Sequence, residues 1–303
     1  MLRSRTMLLL VFVVLAPRVN AQRAIPDDNL GYPVLIKLTD CSSNIASAQA
    51  SGFFLNTGSE EYLVTSSHVL FNESERVELG HGRRLQCNKA ELVSYSKDPK
   101  DTQPNRMQLD LRVLNGAGKV KAHVTHDVAV IQLGVAQVAQ TEGTAGSQKM
   151  YAARVNPAVE ITTLAASGIV VAGMDVVKKF DEVLTANDVY VFGYPSSIGM
   201  QQVPQIDYSK PLLRKGIVAG KNESNKTLVL DCLTFFGNSG GPVLQAVRVG
   251  LGTRFDVVGV ISQYVPVTET WVNTTLSYGY AQIHNSGYSI AEPMDSAIEL
   301  IGR

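Results

Sequence analysis

The stretch Phe235-Phe236-Gly237-Asn238-Ser239-Gly240-Gly241-Pro242-Val243-Leu244 sets one serine at the apex of a glycine-rich turn that runs into an apolar strand. Glycine tolerates positive φ and carries no Cβ, so such a turn bends sharply and lets a substrate come close. The N–H groups of Gly237 and Ser239 can then aim into one small space, the arrangement that stabilises an oxyanion. The competing reading is a tight β-turn with an incidental serine. A serine hydroxyl is a poor nucleophile at neutral pH, so the chemistry requires an imidazole to take its proton and a carboxylate to hold the imidazole in the right tautomer.

Two upstream segments offer those partners. In Tyr62-Leu63-Val64-Thr65-Ser66-Ser67-His68-Val69-Leu70 an apolar strand ends in small residues and presents His68 where the strand becomes a turn, with its small neighbours read as room for substrate. The alternative is a core histidine with a satisfied ring. In His126-Asp127-Val128-Ala129-Val130-Ile131-Gln132-Leu133 an aspartate precedes a nearly continuous apolar run, so Asp127 is expected to be partly buried, and burial is costly for a carboxylate unless it is paired. An exposed strand-capping aspartate is the alternative. His123 and His126 beside Asp127 also suggest a metal site, but an i, i+3 histidine pair suits ligand geometry on a helix, and this segment reads as a turn entering a strand. No metal and no cofactor is expected.

The elements that must position these residues are short β-rich runs: Val34–Leu38, Gly52–Leu55, Tyr62–Thr65, Val128–Leu133, Val189–Gly193, Leu228–Leu230, Val257–Gln263 and Tyr278–Ile283. Clusters of Gly, Asn, Asp, Ser and Pro separate them, the pattern of an antiparallel all-β protein. The clearest helix is the tail, where Pro293 opens a segment with Met294, Ala297, Ile298 and Ile301 on one face. Between Leu133 and Val189 lies a weaker region whose strands have no evident owner, including a stretch from Thr141 to Gln148 that reads as a loop. The division expected is a first β unit at about 31–135, a connection at about 136–188, a second unit at about 189–285 and a C-terminal helix at about 293–301.

The 303 residues are 45% hydrophobic and 18% charged, enough for one large domain or two small ones with real cores. Lys+Arg and Asp+Glu both count 27, so no polyanion field is built and nucleic acid is not an expected partner. Residues 1–21 have a basic start at Arg3 and Arg5, an apolar run from Met7 to Ala16, and Val19-Asn20-Ala21, the small-x-small signature of a signal-peptidase site. The run falls short of the roughly 20 apolar residues of a membrane span. The mature chain, residues 22–303, is therefore expected to be secreted or periplasmic without stable membrane insertion. Export permits disulfides, and of Cys41, Cys87 and Cys232 the expected pair is Cys41 with Cys87, which flank the segment holding His68. Asn72, Asn222, Asn225 and Asn273 open glycosylation tripeptides, acceptors only in a eukaryotic host.

Thr65-Ser66-Ser67-His68, Asp127-Val128-Ala129-Val130 and Gly237-Asn238-Ser239-Gly240-Gly241-Pro242 occur in the chain order His, Asp, Ser. In that order they resemble the chymotrypsin-fold, trypsin-like serine peptidases. Val191-Phe192-Gly193-Tyr194-Pro195, Leu213-Arg214-Lys215-Gly216-Ile217-Val218 and Gly287-Tyr288-Ser289-Ile290-Ala291-Glu292-Pro293-Met294 are similar to segments of the bacterial HtrA (Deg) branch, and the expectation is a member of that branch without a PDZ domain. The resemblance covers roughly 31–301, and 137–188 matches poorly. It implies two antiparallel six-stranded β-barrels with substrate in the cleft between them, catalysis by His68, Asp127 and Ser239, and an oxyanion hole from Gly237 and Ser239. It also implies an S1 pocket based on Leu233 and backbone pairing of substrate along Ile261, Ser262 and Gln263. An apolar pocket base implies an apolar P1 residue. Asn238 stands where trypsin-type zymogens carry an aspartate, and no Ile-Val-Gly-Gly-like start is present, so no activating cleavage is expected.

The function expected is an exported endopeptidase acting on proteins or peptides, its oligomeric state open. One rival is a non-catalytic binding protein that keeps the peptidase fold. The other is an α/β-hydrolase-type esterase, since Gly237-Asn238-Ser239-Gly240-Gly241 fits G-x-S-x-G and Asp256 and His284 follow in that family's order. That elbow must lead straight into a helix, whereas Pro242-Val243-Leu244 reads as a strand.

Overall fold

In the computed structural model, residues 25, 31–42, 48–72, 84–96, 98, 100–138, 151–196, 203–250 and 252–302 are described, so the signal segment and 141–148 lie outside the described residues. The strand-forming runs assemble into two β units. The first is a ten-stranded sheet built from β1 (Pro33–Cys41), β2 (Ala48–Asn56), β3 (Glu60–Thr65), β4 (Cys87–Ser94), β5 (Asn105–Asp110), β6 (Val120–Ala122), β7 (Ala129–Val138), β8 (Tyr151–Val155), β9 (Val159–Thr163) and β10 (Ala172–Gly173). Its hydrogen-bonded order is β6-β7-β3-β2-β1-β4-β5-β9, with β8 on β7 and β10 parallel to β2. The second is a closed barrel, β11-β12-β13-β16-β15-β14, made from Asp188–Gly193, Leu212–Asn222, Thr227–Asp231, Pro242–Val249, Gly252–Asn273 and Tyr278–Pro293 in chain order.

Six strands close the second unit, while the first carries more than the expected six. The surplus comes from the segment between the units: β8, β9 and β10 all attach to the first sheet. Along β9 only Val159 is buried and the next three positions face water, so it lacks the continuous apolar signal of a central strand, and β10 is only two residues long.

Among the described residues three α-helices complete the fold: α1 (Ser67–Leu70), α2 (Leu111–Gly116) and α3 (Met294–Leu300). The sequence reading misses α2, whose six residues are too few for a helical period; Asp110 starts it by accepting the Val113 N–H. The tail helix α3 lays Met294, Ala297 and Ile298, and its C-cap Ile301, into a core shared by the two units. That core also takes Phe53, Leu55, Val64, Val128 and Val130 from the first sheet and Phe192, Leu244, Val257 and Val260 from the barrel. Fully buried side chains such as Phe53 and Phe192 contribute about 1.5–3 kcal/mol each. Separate cores fill the first sheet and the barrel. Cys41 and Cys87 face one another in the β1–β4 ladder and are joined as a disulfide.

Candidate active site

Asp127 is buried just before β7, and both of its oxygens are fully engaged. Oδ1 accepts the Ser67 hydroxyl at 2.7 Å and the His68 backbone N–H at 2.9 Å. Oδ2 meets His68 Nδ1 at 2.7 Å and accepts the Ser262 hydroxyl at 2.7 Å. Burial pushes the Asp127 carboxyl up, but the hydrogen bond and charge of His68, then the Ser262 hydroxyl and the His68 N–H, outweigh it and hold the carboxyl below its ordinary value. An ionised carboxylate only accepts, so the proton at this contact belongs to His68 Nδ1, and Nε2 is left as the basic nitrogen.

His68 sits in the single turn of α1 rather than at a bare strand end. The turn is short because Phe71 already returns to an extended conformation. Its side chain remains 32% exposed while its carboxylate partner is buried, so one edge of the ring faces the cleft. The small neighbours do not leave space for substrate, as the sequence suggests; they make structural bonds. Ser66 donates to the Ile261 carbonyl at 2.7 Å, tying the histidine turn to the barrel, and Ser67 is spent on Asp127.

Ser239 lies across the junction. Its turn is closed by Asn238 N–H to Phe235 O (3.0 Å), Gly241 N–H to Asn238 O (2.9 Å) and Gly240 N–H to Ile261 O (2.7 Å). Gly237 and Gly240 have φ of +89° and +84°, which L side chains rarely adopt, and a Cβ on Gly240 would stand 2.1 Å from both the Ser51 carbonyl and Thr65 Oγ1. The Asn238 side chain accepts the Phe235 N–H at 3.0 Å, so the residue before the nucleophile braces its own turn.

The carbonyls of Phe236, Gly237 and Ser239 are all engaged by groups outside the nucleophile turn. Phe236 O accepts from Ser196 N–H (2.8 Å), Gly237 O from the Ser51 hydroxyl (2.6 Å) and Ser239 O from Ser51 N–H (2.9 Å). Because a trans peptide aims its C=O and N–H in opposite directions, the bond to Ser196 turns the Gly237 N–H the other way. Among the described residues neither the Gly237 nor the Ser239 N–H has a protein acceptor. Two free donors flanking a serine are what a developing oxyanion requires. The Ser239 hydroxyl itself donates to the Ser262 carbonyl at 3.2 Å.

Ser262 occupies a β-bulge in β15, between Ile261 and Gln263, and the bulge directs its hydroxyl to Asp127 and its carbonyl to Ser239. Ile261 requires a correction as a substrate-pairing residue. Its N–H donates to Gly241 O, its carbonyl accepts from Gly240 and Ser66, and its side chain is buried, so it braces the nucleophile turn. The open strand edge begins at Ser262 and continues to the exposed Gln263. Leu233 is half-buried between β13 and the nucleophile turn; beside it the Thr234 hydroxyl is buried without a partner among the described residues, and burial pushes the free Cys232 thiol up to about 11.

Ser51, fully buried in β2, escapes the sequence reading although it binds three parts of the site: Gly237, Ser239 and the Tyr194 N–H at 2.9 Å. Its only signal is a run of small residues, Ala50-Ser51-Gly52, in an otherwise bulky strand. The other candidate groups are elsewhere engaged. Asp256 is paired with Arg254 and His284 with Glu269, neither with Ser239, and the sheets are antiparallel around the serine, so the α/β-hydrolase arrangement is absent. His126 and His123 pair with Glu292 and Glu299, and no group of metal-binding side chains occurs among the described residues.

The family model described as the trypsin-like peptidase domain matches residues 50–249. Comparison with curated proteins finds no match. Among solved structures, the serine endoprotease from Yersinia pestis is similar at 13% identity with a TM-score of 0.45, over 92% of this chain and 66% of that one. The present chain thus spans just under two thirds of that protein.

Proposed function

The chain belongs to the trypsin-like peptidase domain family, and from that premise we propose that it is an exported serine endopeptidase working through Ser239, His68 and Asp127. Ser239 Oγ attacks the scissile carbonyl carbon as its proton passes to His68 Nε2. The tetrahedral oxyanion is held by the Gly237 and Ser239 N–H groups, and Asp127 stabilises the imidazolium through Nδ1. His68 then gives its proton to the leaving amine, and the C–N bond breaks to leave an acyl group on Ser239. Water, deprotonated by His68, attacks that ester, and the acid product leaves as the proton returns to Ser239.

The observation that carries this reading is the four-bonded Asp127 carboxylate, with His68 Nδ1 at 2.7 Å on one oxygen, beside a nucleophile turn whose Gly237 and Ser239 N–H groups have no acceptor among the described residues. No activating cleavage is invoked, because Asn238 already braces the nucleophile turn. Substrate adds antiparallel to the open edge that starts at Ser262, with Gln263 next along it. Selectivity for an apolar P1 residue is assigned to a pocket based on Leu233. The disulfide between Cys41 and Cys87 supports export, since such bonds persist in oxidising compartments. N-terminal sequencing of the exported protein tests the leader and is expected to begin at Gln22.

The test of the activity compares wild type with Ser239→Ala on an unstructured protein substrate. Turnover in the wild type and a loss of at least about 10³-fold in the variant are expected. Equal activity in the two proteins rules the mechanism out. A peptide library dominated by Lys or Arg at P1 rules out the apolar pocket alone.

A further inference from the structure

Beyond Ser262 the strand that skirts the nucleophile does not stop at the barrel. β15 runs for 22 residues to Asn273, turns, and returns as β16 from Tyr278, so the two strands form an arm beyond the body of the barrel. On the arm every residue from Pro266 to Ile283 is exposed except Asn273, which is half-buried. Two-stranded hairpins standing free in water are marginal at best, and exposed apolar strand edges invite pairing.

Its composition is not that of a solvated surface. Trp271, Val272, Tyr280 and Ile283 are 65%, 69%, 56% and 69% exposed. Between Tyr264 and Asn285 the only acidic or basic side chains are Glu269 and His284, and these face each other at 3.7 Å. Ladder partners share a face, so Trp271 with Tyr280 and Asn273 with Tyr278 place three aromatic residues on one side; Thr268 with Ile283 and Val272 with Gly279 occupy the other. Nearer the nucleophile the same character continues in Phe236 and Tyr264, whose rings pack edge to face at 5.6 Å.

The arm also has an open hydrogen-bonding edge. β14 covers β15 only as far as Val260, and among the described residues Gln263–Asn273 pairs with β16 alone. A bulge between Tyr264 and Pro266, where Pro266 supplies no N–H, divides this edge into a part beside Ser239 and a part from Val267 to Asn273. Antiparallel addition to β15 fixes direction: moving from Ser262 toward Asn273, the added chain runs toward its own N-terminus.

We propose that the β15–β16 arm is an extended substrate-binding site that takes an unfolded, apolar or aromatic segment on the amino side of the scissile bond, adding it as a third strand along Val267–Asn273. The inference rests on the peptidase reading above, and the continuity of the arm with the edge beside Ser239 favours substrate over any other occupant. Backbone pairing supplies affinity, and Trp271, Tyr278 and Tyr280 select apolar side chains on one face. The favoured substrates are accordingly unfolded chains rather than folded proteins with occasional exposed loops.

The test uses the full chain and fluorogenic peptides with one constant scissile core, lengthened by apolar residues on either side. Lengthening from three to ten residues on the amino side raises kcat/KM about tenfold in wild type, and lengthening on the carboxyl side gives no such gain. In Trp271→Ser/Tyr280→Ser the amino-side gain disappears. A kcat/KM independent of amino-side length, or a gain that persists in the double variant, overturns the proposal. Binding is read separately in Ser239→Ala, where Trp271, the only tryptophan in the chain, is the reporter. Its emission shifts to the blue and saturates with the ten-residue peptide, whereas no shift overturns the arm's role. If sedimentation shows two copies joined through the arm, a change abolished by the double variant, the occupant is a second chain and the proposal fails. If Ser239→Ala binds the long peptide but wild type cleaves none of the peptides, the peptidase reading fails while binding by the arm stands.

Discussion

One strand, β15, spends its two halves in opposite environments. From Val257 to Ser262 it is buried, its backbone bonded to Gly240, Gly241 and β16, and its side chains fill cores on both sides of the barrel wall. From Pro266 to Asn273 it is in water, paired among the described residues on one edge only. The first half is over-determined, as the proposed chemistry requires: a serine, a histidine and two N–H groups must be held relative to one another across a junction of two units. The second is under-determined, and that is a property of surfaces completed by something else. Rigidity at the junction and incompleteness in the arm are thus two demands on one element.

Glycine substitutions draw the contrast most sharply. Gly240→Ala, with φ of +84° and a Cβ at 2.1 Å from Ser51 O and Thr65 Oγ1, is expected to cost at least about 3 kcal/mol or prevent folding. Gly279→Ala in the arm, where the nearest atom is 3.7 Å away, is expected to change stability by less than about 0.5 kcal/mol. Denaturant midpoints measure both, and similar values would erase the distinction between the two halves.

Asp127→Asn keeps the shape of the side chain but removes the charge that fixes the His68 tautomer. A fall in kcat of about 10³–10⁴ is expected with little change in KM. A smaller effect comes from Ser51→Ala, which leaves the Gly237 carbonyl and Tyr194 N–H without their partner. It is expected to destabilise by about 1–3 kcal/mol and to lower kcat, whereas Thr268→Ala in the arm leaves stability within about 0.5 kcal/mol.

The smallest effect concerns pH. Glu61, half-buried at the start of β3, has its carboxyl pushed up to about 7 by burial, against the opposing bond from Asn56. Its folded form holds a proton that the unfolded chain releases near 4.5, so its contribution is fully present below about 4.5 and is lost as pH rises through about 7. Asp127 has the opposite sign: its contribution is present above the ordinary value of 3.8 and is lost as pH falls through its depressed folded value. Glu61→Gln should therefore gain stability relative to wild type between pH 5 and pH 8, by about 1 kcal/mol after solvent screening. Chemical denaturation at the two pH values reads the difference; an unchanged ratio contradicts the assignment.

How much of this was legible in the chain varies with the range of the interaction. His68, Asp127 and Ser239 stand out because each sits at the boundary of a continuous apolar strand, and local pattern reveals such boundaries. Ser51 does not stand out, since its hydroxyl meets Gly237 across a sequence separation of 186 residues. The same limit applies to Ser66 and Ser67, whose size suggests space while their partners are the Ile261 carbonyl in β15 and the Asp127 carboxylate just before β7. The family resemblance offers Ile261 as part of the substrate-pairing edge, but the fold uses up its backbone. The arm is hidden for another reason: its exposed apolar residues look like core residues when only hydrophobicity is read.

The central claim is that a competent nucleophile is assembled by folding alone. Purified protein that has received no activating protease treatment is incubated with a fluorophosphonate, and the labelled residue is located by peptide mass mapping. Stoichiometric modification of Ser239, lost in His68→Ala and on denaturation, is the result expected. A native protein that stays unlabelled at Ser239, or labels equally well without His68, contradicts the account.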